Sequence, residues 1–193
     1  MGAVSPVPFA DEAFLQKVDE RVVKPTLAGL RADGIDYRGF IFIGLMNVAG
    51  DPHVIEYNVR LGDPEAEVVL PRLDNDLLDL FDAVREQRLD EVELIADTRT
   101  AATVVLTSGG YPGPYEKGRA ISGIDEADDD ALIFHAGTRL DEGQLVTNGG
   151  RVVAVTALGR GVKEATRAAQ QAAEAVRFEG KQLRRDIGDD LLD

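Results

Sequence analysis

Cysteine is missing from all 193 residues, which removes disulfides and thiolate metal sites together. Histidine is nearly missing: His53 and His135 are the only two, too few for a histidine-built metal cluster. With no cysteine and no nucleophile-elbow pattern around a serine, a catalytic triad has no visible candidate. Lysine is confined to Lys17, Lys24, Lys117, Lys163 and Lys181, and no cluster of Lys and Arg offsets a net charge of −14. A nucleic-acid partner, held through clustered cations, is therefore not expected. Long apolar runs are absent too: the longest, Gly39 to Val48, falls well short of the about 20 residues a membrane helix needs. The opening MGAVSPVPFADEAF lacks the basic leader and apolar stretch of a secretory signal. No membrane partner and a cytoplasmic location are the expectations.

What is present concentrates in Val54 to Glu67, VIEYNVRLGDPEAE. An extended segment there carries Glu56, Asn58 and Arg60 at every second position, so the three project from one face while Ile55, Tyr57, Val59 and Leu61 project from the other. A carboxylate and an amide oxygen spaced this way can converge on one hard cation such as Mg²⁺, which prefers oxygen ligands and keeps phosphate or water oxygens in its shell. Arg60 adds a planar fork suited to a phosphate or acyl phosphate. Gly62-Asp63-Pro64-Glu65 then reads as a turn, an N-cap and an acidic first helical turn, which brings the positive end of a helix dipole toward Arg60. The same alternation also describes the solvated face of an ordinary half-buried strand.

Around this strand the expected elements follow from periodicity and punctuation. Phe9 to Asp33 has helical spacing, with Asp11 as start, Gly34 as stop and a break near Lys24 imposed by Pro25. Tyr37–Val48 and Val54–Leu61 read as a hairpin across Ala49 to Pro52. A helix starts at Asn75 or Asp76 and runs to about Asp90, burying Leu77, Leu80, Phe81 and Val84. The acidic tract at Leu89 to Asp97 marks a boundary, which divides the chain into residues 1–97 and 98–193. Beyond it, Ala101–Leu106 and Leu132–His135 read as strands. Ser108 to Gly118, SGGYPGPYEKG, is a glycine- and proline-rich loop. Gln144–Asn148 and Arg151–Ala157 flank an Asn148-Gly149-Gly150 hairpin turn, and Val162 to about Phe178 forms a long helix stopped by Gly180. His135, inside the apolar LIFHAG, reads as a hydrogen-bonded structural residue. The acidic runs Asp125 to Asp130 and Asp186 to Asp193 read as solvated surface.

Taken together, MGAVSPVP, VVKPTLAGL, RGFIFIGLM, VIEYNVRLGDPE, SGGYPGPYEKG, FHAGT, VTNGGRVVAVTALG and FEGKQLRRDIG make the chain similar, almost end to end, to the C-terminal part of the phosphoribosylamine-glycine ligases. These are also called glycinamide ribonucleotide synthetases and belong to the ATP-grasp superfamily. The E-x-N-x-R strand alone matches many ATP-grasp enzymes; YPGPYEKG, FHAGT and RRDIG narrow the resemblance. It implies an α+β fold: the C-terminal lobe of an ATP-grasp domain over residues 1–97, then a small antiparallel-sheet domain with one long helix over 98–193. It also implies ATP-dependent joining of glycine to 5-phosphoribosylamine. On the family's motif Glu56 and Asn58 fall on ligands for Mg²⁺ or Mn²⁺, Arg60 on the residue that steadies the transferring phosphoryl group, and Asp63 on the adjacent turn. Lys117 falls in a loop that could close over substrate. No glycine-rich phosphate loop with a following lysine is present, so the chain by itself is expected not to clasp ATP or act as a ligase. The alternative is a non-catalytic or complementing metal-binding subunit whose partner chain supplies the other lobe. Self-association through apolar surface near Phe40 and Phe42 is a further expectation.

Overall fold

The computed structural model describes residues 1–128 and 130–192. They run as strand β1 (Gly2–Ser5), helices α1 (Glu12–Val18) and α2 (Lys24–Ala32), strands β2 (Phe42–Val48) and β3 (Asp51–Asn58), and helices α3 (Ala66–Val69) and α4 (Leu77–Glu86). Strands β4 (Thr100–Thr107), β5 (Leu132–His135), β6 (Thr138–Asp141), β7 (Gln144–Thr147) and β8 (Arg151–Gly159) follow, and helix α5 (Val162–Ala175) comes last. Asp129 and Asp193, members of the two acidic runs, lie outside the described residues. The architecture is α+β with antiparallel sheets, as expected.

The chain forms two compact units, each drawn from separate stretches of the sequence. One contains Met1–Pro6, Asp63–Leu73 and Ala96–Asp193; the other contains Val7–Gly62 and Asp74–Ile95. The reason is long-range pairing. β1 joins β4 across about a hundred residues of sequence, with Gly2 opposite Val104 and Ser5 opposite Ala101. Arg72 clamps the same corner, donating to Ser5 Oγ at 2.9 Å, to the Asp97 carbonyl at 3.0 Å and to the Arg99 carbonyl at 2.9 Å.

In the first unit a four-stranded antiparallel sheet has the order β1-β4-β8-β5. β4 reads TAATVVLT without polar alternation because both its faces are covered, and Ala101, Ala102, Thr103, Val104 and Leu106 have no exposed surface. One face packs under α5, whose inward residues Ala165, Ala169, Ala172 and Ala173 are small enough to seat the helix close to the strands. Against the sheet also lies the segment around α3, with Val68 at 2 % exposure and the Glu67 carbonyl accepting a 3.0 Å hydrogen bond from Thr156 Oγ1. Burial at about 25 cal/mol per Å² of apolar surface is the main term holding these layers.

Two expected elements differ here. β7 does not pair with β8 across Asn148-Gly149-Gly150; it pairs with β6, Thr138 opposite Thr147, through a tight turn at Glu142 and Gly143 with φ of 50° and 84°. The asparagine-glycine signal was real as a turn, but the chain leaving it enters a different sheet. α5 stops at Ala175 rather than near Phe178, because Val176 turns extended at ψ 125° and buries against the sheet. Gly180 sits in the following turn at φ 75°.

The second unit is built on the β2-β3 hairpin, whose two-residue turn Ala49-Gly50 has φ of 52° and 84°. That is the pair of positive φ values such a hairpin requires. Lys17 Nζ donates to the Gly50 carbonyl at 2.6 Å and to Asp51 Oδ1 at 3.0 Å, fixing α1 to the turn. Asp11 caps α1 by accepting from the Phe14 amide at 2.8 Å, and Asp76 caps α4 by accepting from Leu78 at 2.8 Å. Pro25 does not end the helical run. A π-helical stretch, Asp19–Val23, widens the turn ahead of it and α2 restarts with proline in its first turn, where a missing N–H costs nothing. The stripe of α4 also shifts: Leu80 and Ala83 are buried, while Phe81 is 45 % exposed and meets Phe40 edge-on at 6.1 Å.

Candidate metal and substrate site

β3 places Glu56 and Asn58 on one face, two residues apart, with Asn58 Nδ2 donating to Glu56 Oε1 at 3.0 Å. β3 ends at Asn58, so Arg60 lies beyond the strand and does not continue its alternation. Its guanidinium Nη1 donates to the neighbouring Leu61 carbonyl at 2.9 Å and no carboxylate pairs with it among the described residues. On the face of β3 opposite Glu56, Ile55 is 62 % and Tyr57 48 % exposed, and Val59, just past the strand, is 72 % exposed. Apolar alternation in this strand therefore does not mark a buried side within this unit.

Glu56 and Asn58 fit a divalent cation of the Mg²⁺ type by their donor set: a carboxylate and an amide, each able to offer a hard oxygen, held side by side through the amide nitrogen. Among the described residues no group of three or more His, Asp or Glu could hold a metal. Two protein oxygens are what such an ion takes when phosphate oxygens complete its shell.

Asp63 belongs to the other unit. It does not cap a helix: α3 starts at Ala66, with Glu65 at its N-cap, and has only four residues, too few for a useful dipole. Asp63 Oδ1 instead pairs with Arg151 Nη1 at 3.0 Å. Glu67, four residues on, is the residue sequence reasoning missed. Its Oε2 is buried with no hydrogen-bond partner, and burial pushes its carboxyl above the usual carboxylate value, helped by Asp63 and Glu65 and opposed by its own backbone amide and by Arg151.

Arg151 opens β8 directly after Asn148-Gly149-Gly150, and three sequence-distant motifs meet there. The Asn148 amide donates to the Gly137 carbonyl of FHAGT at 2.7 Å, and the Gly137 amide to the Arg151 carbonyl at 2.8 Å. A Cβ on Gly137 would lie 2.6 Å from Gly149 Cα, and one on Gly150 would lie 2.1 Å from the Tyr111 ring. Both glycines are required by close approach. From the third motif, Ser108 donates through its amide to the Gly150 carbonyl at 2.8 Å and through Oγ to the Gly149 carbonyl at 2.9 Å.

Both ends of the YPGPYEKG loop are thus tied down. The Gly118 amide donates to the Thr147 carbonyl at 2.7 Å, and Arg119 pairs with Glu116 and, at 2.7 Å, with Glu179. Lys117 between them is exposed and has no hydrogen bond or ion pair among the described residues. Arg151 and the close approaches at these glycines carried no local signal in the sequence, where Asn148-Gly149-Gly150 read only as a turn, because each is defined by what crosses it.

The α+β fold, with its antiparallel sheets, is of the ATP-grasp class. The fold is shared with the biotin carboxylase domain of 2-oxoglutarate carboxylase from Hydrogenobacter thermophilus, at TM-score 0.63 and 12 % identity over 96 % of this chain and 40 % of that one. Sequence models of one family then match most of the chain: phosphoribosylglycinamide synthetase, ATP-grasp (A) domain, at residues 1–66, and phosphoribosylglycinamide synthetase, C domain, at residues 101–190. The phosphoribosylamine-glycine ligase of Chlorobaculum tepidum is 49 % identical over 97 % of this chain and 45 % of its own length. The crystal structure of the Thermotoga maritima phosphoribosylamine-glycine ligase superposes at TM-score 0.85 with 40 % identity, over 97 % of this chain and 46 % of that one. The chain belongs to the phosphoribosylglycinamide synthetase family, and it spans about half the length of the curated relatives it matches.

Proposed function

We propose that this chain carries the metal-bearing lobe, over residues 1–97, and the C-terminal domain, over 98–193, of an ATP-dependent carbon-nitrogen ligase that joins glycine to 5-phosphoribosylamine. The observation that carries the reading is similarity along nearly the whole chain to relatives named for that activity. The chemistry balances as two steps. The glycine carboxylate takes the γ-phosphoryl group of ATP, leaving ADP; the amine then attacks the acyl carbon, expelling phosphate and losing a proton.

Glu56 and Asn58 would hold Mg²⁺ or Mn²⁺, which when bound neutralises phosphate charge. Arg60, paired with no carboxylate among the described residues, would steady the transferring phosphoryl group. Lys117 would meet the substrate from its anchored loop. For Asp63, the pair with Arg151 supports a role in holding the GDPE turn.

The test is a chimera in which this chain follows the remaining half of the Chlorobaculum tepidum ligase. It should release ADP only with both glycine and phosphoribosylamine present, whereas this chain alone should form no product. Glu56→Ala should lower kcat/KM by at least the roughly 10–100-fold that even indirect metal partners cost, and raise the Mg²⁺ requirement. An active chimera indifferent to Glu56→Ala would remove the metal assignment. ADP release without glycine would remove the ligase reading.

A further inference from the structure

The sheet unit holds a concavity of about 620 Å³ whose residues are given no role in the ligase chemistry above. That volume is in the range of small-molecule sites, which combine an apolar surface with a few convergent polar groups. Its apolar surface comes from Ile121, Ile124, Leu140 and Leu145, and its polar residues include His135, Asp125 and Arg139.

Two of those polar groups are planar and held by their own hydrogen bonds. His135 Nδ1 and Thr138 Oγ1 share a hydrogen bond at 3.1 Å, which sets the ring and leaves Nε2 over. Arg139 forms a bidentate pair with Asp141 at 2.8 and 3.0 Å, which fixes its guanidinium plane. Asp125 is different: it is exposed and makes no hydrogen bond or ion pair among the described residues.

These features select a ligand chemistry. The guanidinium charge is already matched by Asp141 and Asp125 adds a negative one, so a phosphate or carboxylate would be repelled. One imidazole and one carboxylate are too few to hold a metal by themselves. Fixed planar groups beside an apolar surface suit a flat ring, which stacks on imidazole or guanidinium faces. The unpaired carboxylate suits a ring that donates hydrogen bonds from an exocyclic amine. We propose that this concavity binds a neutral, planar, amino-substituted heteroaromatic ring of the nucleobase type, apart from any nucleotide held by the metal lobe.

Adenine titrated calorimetrically into the chain is the test, with unsubstituted purine and inorganic phosphate as the other probes and amide chemical shifts to locate the contact. Adenine should bind at one site per chain and shift the amides of Ser122, His135 and Leu140, and phosphate should leave them unmoved. His135→Ala should weaken adenine by about fivefold or more, the low end of one stacking contact. Because that variant also frees Thr138, Leu140→Asp serves as a second probe: Leu140 is 72 % exposed, so the change spares the core and should weaken adenine comparably. Purine should bind more weakly than adenine, and Asp125→Asn should remove the difference. The proposal is overturned if adenine gives no binding up to its solubility limit, or if the shifts fall among residues 7–62 instead. Affinity unchanged by both His135→Ala and Leu140→Asp would also overturn it.

Discussion

Glu67→Gln should stabilise the protein at neutral pH. In the native chain one carboxylate oxygen of Glu67 has lost water and gained no partner, and burial is the largest influence on the group. An unsatisfied buried polar group costs about 1–3 kcal/mol. Glutamine would leave a polar atom in the same place but without the charge that burial disfavours; because the side chain is only partly buried and Arg151 attracts that charge, only part of the cost is relieved, about 1 kcal/mol after allowing for solvent screening. In a chain of this size that is a rise in Tm of about 2–4 °C.

The sign of the pH dependence follows from the raised carboxyl. Between the ordinary carboxylate value and the raised one, the folded state binds more protons than the unfolded state, so stability falls as pH rises through that window. Below it Glu67 is protonated in both states and its penalty vanishes. The advantage of Glu67→Gln should therefore be near zero at about pH 4 and full at pH 8. Urea unfolding at both pH values, followed by a probe in the sheet unit, measures it. A glutamine variant no more stable than the parent at pH 8, or an advantage that does not change with pH, would refute the reasoning.

Three further outcomes are expected. Leu106 has no exposed surface at the centre of the sheet, so Leu106→Ala should lose about 3–5 kcal/mol in denaturant unfolding. Gly150→Ala should destabilise by driving a methyl into the Tyr111 ring, and combining it with Tyr111→Ala should recover at least about 1 kcal/mol of that loss in a double-mutant cycle. Lys181 Nζ donates to the Ala173 and Val176 carbonyls at 3.1 and 2.8 Å at the end of α5. Lys181→Met should cost about 1–2 kcal/mol and speed amide exchange in the last turn of that helix.

Much of the local structure was legible beforehand. Asp11 and Asp76 announce helix starts because a short acceptor can satisfy free amides only at that position. The hairpin spanning residues 42–58 was marked by its glycine turn, and Leu132–His135 has the bounds its apolar run implied. The Glu56 and Asn58 pair followed from the period of a strand, which needs no tertiary information. The hairpin assigned to Asn148-Gly149-Gly150 failed because turn residues specify a bend but not the strand that receives the chain. Arg60 fell off the strand because periodicity does not say where pairing ends.

The sequence by itself determined the two kinds of secondary structure, most of their boundaries and the chemistry available on β3, since caps, turns and side-chain alternation act over a few residues. Only the tertiary structure decided that β1 leaves its neighbours to complete a sheet with β4, that Arg151 holds Asp63, and that FHAGT, the double glycine and YPGPYEKG share one corner. It alone decided that Glu67 keeps a buried, unpartnered oxygen. These facts depend on burial and on which backbone passes opposite, quantities that arise when segments tens of residues apart exclude water between them.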